Sequence, residues 1–447
     1  MSLEKFFHLK ENNTTVKTEI MAGVTSFMTM AYILAVNPNI LAAAGMDHGA
    51  VFTATAVASF IGTLCMALFA NYPFALAPGM GLNAYFAYTV VLGMGYSWEV
   101  ALAAVLAEGI IFIILSCFNI REAIFNAIPF NLKKAVSVGI GLFITFLGLQ
   151  NAKIVIGSST LVSLFSISGY NSTLADGLTA SMSDAGITVL LAIFGVLITG
   201  ILITWILGII CQFAGVYVPN PDLGFYNLLP DFSNGISIPS LAPIMFKFSL
   251  KGVPVLEFIV IVFAFLFVDL FDTLGTLIGV SAKADMLDAD GKLPRIKGAL
   301  LADAVGTTCG ACLGTSTVTT FVESASGVTE GGRTGLTSLT TAVLFLLSLL
   351  LSPIFLAIPS FATAPALITV GFYMIGSVSE IDFKDPADGI PAFLCIIAMP
   401  FFYSISEGIS MGVISFVVMN LFAGKKEKIT PVMYILAVLF ILKYILM

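Results

Sequence analysis

The feature that most constrains this chain is its succession of apolar stretches, each long enough to cross a lipid bilayer and separated from the next by a short polar segment. A spanning helix needs about 20 apolar residues, and inside a bilayer only helices and closed barrels satisfy their own backbone hydrogen bonds. The chain is 58% hydrophobic and 10% charged, whereas a soluble domain is about 25% charged. We therefore predict an all-α polytopic membrane protein, with apolar stretches at 19–37, 50–70, 98–117, 132–150, 254–281, 298–313, 335–357, 361–377, 389–403 and 405–423.

Lysine and arginine residues predict the orientation of these segments. If each stretch crosses once, 15 of the 19 basic residues fall on one face. Cytoplasmic loops carry an excess of Lys and Arg, so we expect a protein of the cytoplasmic membrane with a cytoplasmic N-terminus. The first twenty residues are polar, unlike a cleavable signal peptide. The basic residues of this face are Lys5, Lys10, Lys17, Arg121, Lys133, Lys134, Lys283, Lys292, Arg295, Lys297, Arg333, Lys384, Lys425, Lys426 and Lys428.

The apolar run at 187–218 decides the number of segments. Read as a single crossing, it would move the basic residues of 283–297 to the other face. We expect instead a hairpin of two passes of about 14 residues, each rising about 21 Å. Such passes are shorter than the hydrocarbon core and are expected to pack inside protein. The resulting divisions are a first repeat of seven segments (1–218), an extracellular or periplasmic connection (219–253), a second, inverted repeat (254–424), and a basic turn with an apolar C-terminal appendage (425–447).

Two segments interrupt the pattern of continuous helices. In "YPFALAPGMGLNAYFAYTVV" (72–91), proline and glycine precede a short helical run, and in "LGTSTVTTFVESASGV" (313–328) a threonine-rich stretch does so. Each predicts a short extended strand followed by a half-helix, in segments 3 and 10. Half-helices direct their N–H groups to mid-membrane, where transporters bind substrate. Asn83, Glu323 and Ser324 lie at these helix starts, either as ligands or as side chains that cap their helices.

Two carboxylates in the apolar run "FAFLFVDLFDTLGTLIGV" (263–280) mark a further candidate site. A charged side chain at the bilayer centre costs at least about 2.5 kcal/mol. Asp269, Asp272 and Thr273 are three or four residues apart and share one helix face. No Lys or Arg occurs between 252 and 282, so the segment offers them no ion pair. We expect them to bind substrate or protons; the alternative is an internal hydrogen-bond network.

Other polar residues of the apolar segments are weaker candidates. Glu108 and Asp303 stand alone on their segments and are expected to be hydrogen-bonded or snorkelling groups. Cys309 and Cys312 have no histidine nearby, which indicates close helix packing rather than a zinc or redox site. The two histidines of the chain lie in a tail and a loop. No metal and no cofactor are predicted.

The candidate residues favour transport of a neutral ring compound. No Walker sequence is present, which favours a secondary transporter over an ATP-driven pump. Asn83, Asp269, Asp272, Thr273 and Glu323 are rich in acceptors, and a carboxylate accepts two N–H bonds side by side. Purine edges supply such donors, and the flat ring can stack on Phe or Tyr. Closing a site changes the solvation of a carboxylate, so Asp269, Asp272 and Glu323 are also candidates for carrying a coupling proton.

Longer motifs connect these residues with a known family. The segments "NYPFALAPGMGLNAYFAYTVVLGMGYSW", "DLFDTLGTLIGV", "DGKLPRIKGALLADAVGTT", "GTSTVTTFVESASGVTEGGRTGL" and "IPAFLCIIAMPFFYSISEGI" resemble the azaguanine/hypoxanthine permeases, the purine branch of the nucleobase/cation symporters in the xanthine/uracil permease superfamily. The resemblance extends over nearly the whole chain. It implies 14 segments in two inverted repeats, a core and a gate domain, a homodimer, and proton-coupled import of adenine, guanine or hypoxanthine. It also implies a purine held between segments 3 and 10, against segment 8, by Asn83, Asp269, Asp272, Thr273, Glu323 and Ser324.

The chain departs from this family in one region. Family members usually have a basic turn between segments 6 and 7, whereas 187–218 has none and is shorter, which affects the gate half. A xanthine/uracil-type or anion transporter of the same fold is the alternative, and a receptor or channel that binds without accumulating substrate is a third hypothesis. No enzyme is predicted, because no nucleophile and base are paired, and no nucleic-acid partner is predicted. Adenine and the 6-oxo purines all offer N–H donors, so the sequence favours neither.

Overall fold

The computed structural model describes residues 3–117, 129–158, 161–164, 201–215, 227–232, 237–283 and 293–446, together with the single residues 217, 219 and 286. The helices of this part of the chain are α1 (Leu3–Phe6), α2 (Val16–Met30), α3 (Ile33–Ala43), α4 (His48–Cys65), α5 (Met80–Ala84), α6 (Trp98–Cys117), α7 (Phe130–Asn151), α8 (Ile201–Phe213), α9 (Val255–Lys283), α10 (Ile296–Leu313), α11 (Ser324–Thr329), α12 (Gly335–Leu347), α13 (Ser352–Leu356), α14 (Ser360–Ile375), α15 (Pro386–Phe401), α16 (Ile405–Phe422) and α17 (Pro431–Leu446). The strands are β1 (Leu76–Pro78), β2 (Val155–Ser158), β3 (Leu161–Leu164) and β4 (Val318–Thr320).

The helices confirm a polytopic membrane protein. Seven helices of the described residues are long and apolar enough to cross a membrane, and four shorter apolar helices accompany them. Helix α9, with 29 residues, is about 43 Å long at 1.5 Å per residue. Strands β1 and β4 lie where the broken segments predict them. The β2–β3 hairpin, which pairs Val155 with Leu164, was not predicted.

Polar residues fix where several helices begin. Asp47 accepts a hydrogen bond from the Ala50 N–H at 2.7 Å, and Thr15 accepts one from Thr18 at 3.2 Å. Such side chains satisfy backbone N–H groups that have no partner within the helix. The remaining polar N-caps of this kind are Thr334, Asp385 and Ser404.

Small residues allow the helices behind β1 and β4 to approach closely. Helices α4 and α10 cross at Gly62 and Gly306, where a Cβ on Gly306 would lie 3.1 Å from the Gly62 Cα. Val318 of β4 packs on both glycines. This crossing therefore brings the strands against the middle of two spanning helices.

The helices form two packed groups. In one group α2, α4, α6, α10 and α12 pack on one another, and in the other α7 packs on α14 and α15, and α15 on α16. Strand β1, which precedes α5, packs on α4 of the first group, whereas a Cβ on Gly81 of α5 would lie 3.1 Å from Ile140 of α7 and 3.5 Å from Ile405 of α16 in the second group. The broken segment 3 thus lies at the boundary between the two packed groups.

Basic residues gather at one end of each group. In the first group, the Arg295 guanidinium lies 4.7 Å from the ring centre of Tyr72, and the Arg333 N–H donates to Glu19 at 2.9 Å. Glu19 also accepts from the hydroxyl of Thr337 at 2.7 Å, so it joins the starts of α2 and α12. Arg121 and Lys292 lie outside the described residues.

In the second group, Asp385 caps α15 between two lysines. Its carboxylate lies 2.6 Å from Lys425 Nζ and 3.2 Å from Lys428 Nζ. Hydrogen bonds from Lys425, the Ala387 N–H and Lys428 lower the pKa of Asp385 to about 2. Lys134 pairs with Glu380 at 2.7 Å at the same end. The basic turn after α16 is thereby held to the start of α15.

The sequence predicts a hairpin packed inside protein at 187–218. Residues 187–200 of the expected hairpin lie outside the described residues, and its second pass is α8. Leu202, Ile206 and Ile210 of α8 are more than half exposed, so the expectation that this pass is packed inside protein was wrong for one helix face.

The C-terminal helix α17 lies along α16 rather than away from it. Phe440 packs on Phe263 and Phe267 of α9, and the Tyr444 hydroxyl donates to Glu407 near the start of α16. Since α17 begins at the basic turn that follows α16, the two helices are antiparallel. The apolar C-terminal appendage expected from the sequence is therefore a helix that packs on α9 and α16.

Candidate functional site

The two broken segments meet at a short antiparallel strand pair. Leu76 pairs with Thr320, Ala77 with Thr319 and Pro78 with Val318. The Gly79 N–H donates to the Thr317 carbonyl at 3.0 Å, which continues the pairing up to the first turn of α5. Extended backbone at this depth is therefore satisfied by the partner strand. The predicted arrangement of a strand followed by a half-helix is confirmed in both segments.

Asn83 lies in the first half-helix and is fully buried. Its side-chain N–H donates to the Pro78 carbonyl at 3.3 Å, and its side-chain oxygen accepts from the Ser316 hydroxyl. Gly79, not Asn83, occupies the N-cap of α5. Asn83 therefore joins the two broken segments instead of capping its own helix.

Glu323 lies at the N-cap of the second half-helix, but its side chain makes no capping hydrogen bond. Its Oε1 accepts from the Tyr32 hydroxyl at 2.6 Å, and the residue is only half-buried. The next residue, Ser324, is fully buried and accepts from the Ala75 N–H at 3.0 Å. Glu323 is thus directed toward segment 1, whereas Ser324 holds the end of strand β1.

Helix α9 contributes a compact oxygen cluster. Thr273 Oγ1 lies 2.9 Å from Asp269 Oδ1, 2.8 Å from Asp303 Oδ1 and 2.7 Å from Thr319 Oγ1. All four residues are buried. Asp303 therefore belongs to the site, although it stands alone on its own segment, and the internal network that we considered for Asp269 and Thr273 is present.

Asp272 lies on the more open side of α9. It is half-buried, and its Oδ2 lies 3.3 Å from the position of a Cβ on Gly79. Its carboxyl interacts electrostatically with those of Asp303 and Glu323. The structure therefore brings Asp272, Glu323 and the start of α5 to one place.

The threonine-rich stretch 315–319 connects these elements. Each of its polar side chains forms a hydrogen bond with a different helix. The side chain of Val318, which lies between Thr317 and Thr319, packs on α10. The bonds are from Asn37 of α3 to Thr315 at 2.9 Å, from Ser316 to Asn83 of α5, from Thr317 to Glu108 of α6 at 2.6 Å, and between Thr319 and Thr273 of α9 at 2.7 Å. A hydroxyl supplies polar partners in a small volume, which explains the abundance of Ser and Thr before α11.

Other sequence predictions have plain outcomes. Glu108 is fully buried and bonded to Thr317, as expected for a hydrogen-bonded group. Cys309 and Cys312 are free thiols on α10. Among the described residues no group of three or more His, Cys, Asp or Glu side chains is placed to hold a metal ion.

Tyr32 is a site residue that sequence reasoning missed. It lies between α2 and α3 and bonds to a carboxylate 291 positions away in the chain. The available signal was the spacing of Ser26, Thr29 and Tyr32, each three residues apart in an otherwise apolar segment, which gives one polar helix face.

The charges of the site are all of one sign. The segments that carry it, 18–120, 252–282 and 298–332, contain no Lys and no Arg. Three half-buried or buried carboxyls, Asp269, Asp272 and Glu323, lie there with Asp303. Such a site can accept N–H groups and protons, and it repels inorganic anions.

Known proteins of similar sequence are permeases. The chain is 46% identical to a putative permease of Methanocaldococcus jannaschii (99% of this chain, 98% of the other), and 44% identical to the guanine/hypoxanthine permease PbuO of Bacillus subtilis (98% and 99%). It is 40% identical to the adenine permease AdeP of Escherichia coli (99% and 96%). These relatives confirm the resemblance to purine permeases.

Solved structures of similar fold are also transporters. The transmembrane domain of the cyanobacterial bicarbonate transporter BicA superposes with a TM-score of 0.59 at 16% identity, over 91% of this chain and 97% of that one. SLC26A9 superposes with a TM-score of 0.61 at 12% identity, over 92% and 67%. At these identities the likeness confirms the fold class.

A match to a family model shows to which family the chain belongs. The model Xan_ur_permease, described as a permease family, matches residues 17–440. This range includes both broken segments and α9. The chain is accordingly a membrane permease and not an enzyme, and it belongs to this permease family.

Proposed function

We propose that this permease imports purine nucleobases, adenine, guanine or hypoxanthine, together with protons across the cytoplasmic membrane. The observation that carries the proposal is the pair of half-buried carboxyls, Asp272 and Glu323, at the meeting of the two half-helices. Purine permeases among the relatives support the substrate class.

The site residues fall into two roles in this proposal. Glu323 and Asp272 are exposed enough to accept N–H bonds from the base, and the buried Asp269 acts from behind them through Thr273. Asn83, Thr273 and Ser324 complete the polar wall, because their bonds to Pro78, Asp269 and Ala75 fix the strand pair on which the base would rest. A carboxylate that accepts two N–H bonds gives both affinity and orientation.

The number of hydrogen bonds around the Thr273 hydroxyl supports the proposal that transport is coupled to protons. A hydroxyl donates one hydrogen bond and accepts two. If Thr273 donates to one carboxyl and accepts from Thr319, its contact with the other carboxyl needs a proton on that carboxyl. We therefore infer that Asp269 or its neighbour Asp303 holds a proton in this arrangement, with Asp272 and Glu323 as the other candidates for coupling.

Alternating access follows in this proposal from movement between the two packed groups. The half-helix α5 contacts Ile140 and Ile405 of the second group, so a shift of that group would open or cover one side of the site. Rigid-body movement of one bundle against another is common in transporters with inverted repeats. By the positive-inside rule, the basic ends of both groups support the proposal of a cytoplasmic N-terminus.

Uptake of radiolabelled hypoxanthine and adenine by cells that express the chain tests the proposal, with and without a protonophore and with other nucleobases as competitors. We expect accumulation that the protonophore abolishes and that purines inhibit. Asp269→Ala and Glu323→Ala should abolish high-affinity uptake while membrane abundance is retained. Inhibition by uracil, xanthine or bicarbonate alone would instead favour the xanthine/uracil-type or anion alternative, and normal uptake by either variant would refute the assigned site.

A further inference from the structure

Tyr32 reaches the site from segment 1, which none of the predicted ligands does. Its hydroxyl lies 2.6 Å from Glu323 Oε1. A carboxylate has no proton to give, so the tyrosine is the donor in this bond. One oxygen of Glu323 therefore accepts from Tyr32, and the carboxylate, which has about four acceptor positions, keeps capacity for a substrate N–H.

The backbone around Tyr32 is firmly anchored to the second half-helix. The Thr29 hydroxyl lies 2.9 Å from that of Ser326, and a Cβ on Gly327 would lie 2.6 Å from the Ala22 carbonyl oxygen. Helix α2 thus packs against α11, with a hydroxyl contact about one turn before Tyr32 and a backbone contact nearly three turns before it. The distance between the tyrosine ring and Glu323 is fixed by this packing.

The hydroxyl of Tyr32 gives the site a hydrogen-bond donor, a group that is scarce among the other site residues. The Asn83 amide donates to Pro78, and the Thr273 hydroxyl lies among Asp269, Asp303 and Thr319. These donors are engaged within the protein. Tyr32 is engaged with the group that is proposed to bind the base, so substrate binding can redirect its proton.

A purine edge carries a donor beside an acceptor: N1–H beside O6 in hypoxanthine, and the 6-amino group beside N1 or N7 in adenine. A carboxylate alone satisfies the donor but faces the neighbouring acceptor with a lone pair. A carboxylate with a hydroxyl beside it matches both atoms.

We propose that Tyr32 is a specificity-determining residue of this permease: it positions Glu323 in the empty site and donates its hydrogen bond to the ring acceptor beside the bound N–H. This rests on the proposed purine transport. It selects bases with an adjacent donor and acceptor over rings that offer donors alone.

The test compares Tyr32→Phe with the unchanged chain, using inhibition of labelled purine uptake by adenine, 1-deazaadenine and 7-deazaadenine. Each deaza analogue keeps the amino group and lacks one ring acceptor. We expect Tyr32→Phe to raise the Ki of adenine by about 10-fold or more, the cost of a hydrogen bond to a charged or strongly polar group. For the analogue that lacks the acceptor facing Tyr32, the rise should be under about threefold, because that bond is already absent.

Tyr434→Phe is the matched control, since Tyr434 lies on α17 with 37% of its surface exposed, and it should change no Ki. If Tyr32→Phe does not reach the membrane, Tyr32→His replaces it. The histidine ring keeps an N–H donor, so this variant should retain the preference for adenine over the deaza analogue that lacks the acceptor facing residue 32. An equal rise for adenine and both analogues, or no rise at all, overturns the inference. Absence of purine uptake by the unchanged chain would instead overturn the proposed function, so the two failures are distinguishable.

Discussion

The two half-helices that meet at the strand pair, α5 and α11, differ in how far their polar side chains are buried and in which segments these side chains contact. Asn83 of α5 is fully buried and bonded to both broken segments. Glu323 at the start of α11 is half-buried and bonded to Tyr32 of segment 1. The polar side chain of α5 is therefore buried and bonded within the protein, and we call this the closed half of the site. The polar side chain at the start of α11 remains partly accessible, and we call this the open half.

The difference has a physical origin in the side chains. An amide can satisfy its donor and acceptor within the protein, so Asn83 can be buried at little cost. A carboxylate needs donors or protons, and near Glu323 the chain supplies one hydroxyl from Tyr32 and no Lys or Arg within 298–332. The open half therefore has acceptor capacity for a substrate, and the closed half supports it.

Loss of the carboxylate in the open half should have the largest effect. We expect Glu323→Ala to lower kcat/KM for purine uptake by about 100-fold, because an N–H bond to a charged group is worth about 1.5–3 kcal/mol. Thermal stability should fall only modestly, by about 1 kcal/mol, since the side chain makes no capping bond but accepts from the Tyr32 hydroxyl. Initial uptake rates, corrected for membrane abundance, measure the effect.

Glu323→Gln is the control for this variant, because it keeps the shape and one acceptor. We expect it to retain more activity than Glu323→Ala. Equal loss of thermal stability and uptake in both variants would show that Glu323 supports the fold and would remove the distinction between the halves.

Alanine substitutions of one glycine near each half-helix should affect stability and uptake differently. A Cβ on Gly327 would lie 2.6 Å from the Ala22 carbonyl, while one on Gly79 would lie 2.5 Å from Thr319 Cγ2 and 3.3 Å from Asp272 Oδ2. Backbone yields less than a side chain, so Gly327→Ala should lower the free energy of unfolding by about 3 kcal/mol and Gly79→Ala by about 1 kcal/mol. Gly79→Ala should also raise KM, because it displaces Asp272.

Thermal melting in detergent and uptake kinetics of both variants measure this pair. Gly45→Ala is unsuitable as a control because its φ is +85°, whereas Gly376 has open space around it and Gly376→Ala should leave KM unchanged. A normal KM for Gly79→Ala would contradict the position assigned to Asp272.

Sequence reasoning found most of the fold and the acidic part of the site. Apolar length predicts spans such as α4 and α7 because the bilayer imposes it, and proline and glycine predict the break before α5. Asp269 and Asp272 were found because a charge within an apolar helix is costly and needs a function.

The contacts across segments could not be found in this way. Tyr32 shares a polar helix face with Ser26 and Thr29, but nothing in the sequence points to its partner, which is 291 positions away. Asp303 stands alone on α10, and only the packing of α9 against β4 places it 2.8 Å from Thr273. Pairing of β1 with β4 likewise depends on the crossing of α4 and α10, which leaves no periodic signal in the sequence.

A smaller effect is expected from the closed half. Asn83→Ala removes the partner of the buried Ser316 hydroxyl and of Pro78, which should lower the free energy of unfolding by about 1–3 kcal/mol. Ser316→Ala should cost less, and the double variant should cost less than the two added together, since the residues share one bond. Thermal melting measures all three. Strictly additive losses would show that the two side chains do not act as a unit.

The smallest effect should come from neighbouring hydroxyls on β4. Thr320 is buried, and its hydroxyl makes no hydrogen bond to any described residue, so Thr320→Val should change the free energy of unfolding by about 0.5 kcal/mol or less. Thr319 bonds to Thr273 at 2.7 Å, so Thr319→Val should cost about 1 kcal/mol and shift the pH dependence of uptake, because it removes one proton donor from the Asp269 and Asp303 cluster. Thermal melting and pH profiles of both variants measure the pair. A pH profile that changes with Thr320→Val but not with Thr319→Val would place the proton-sensitive group on the open side of β4, beside Glu323, and not among the buried oxygens behind it.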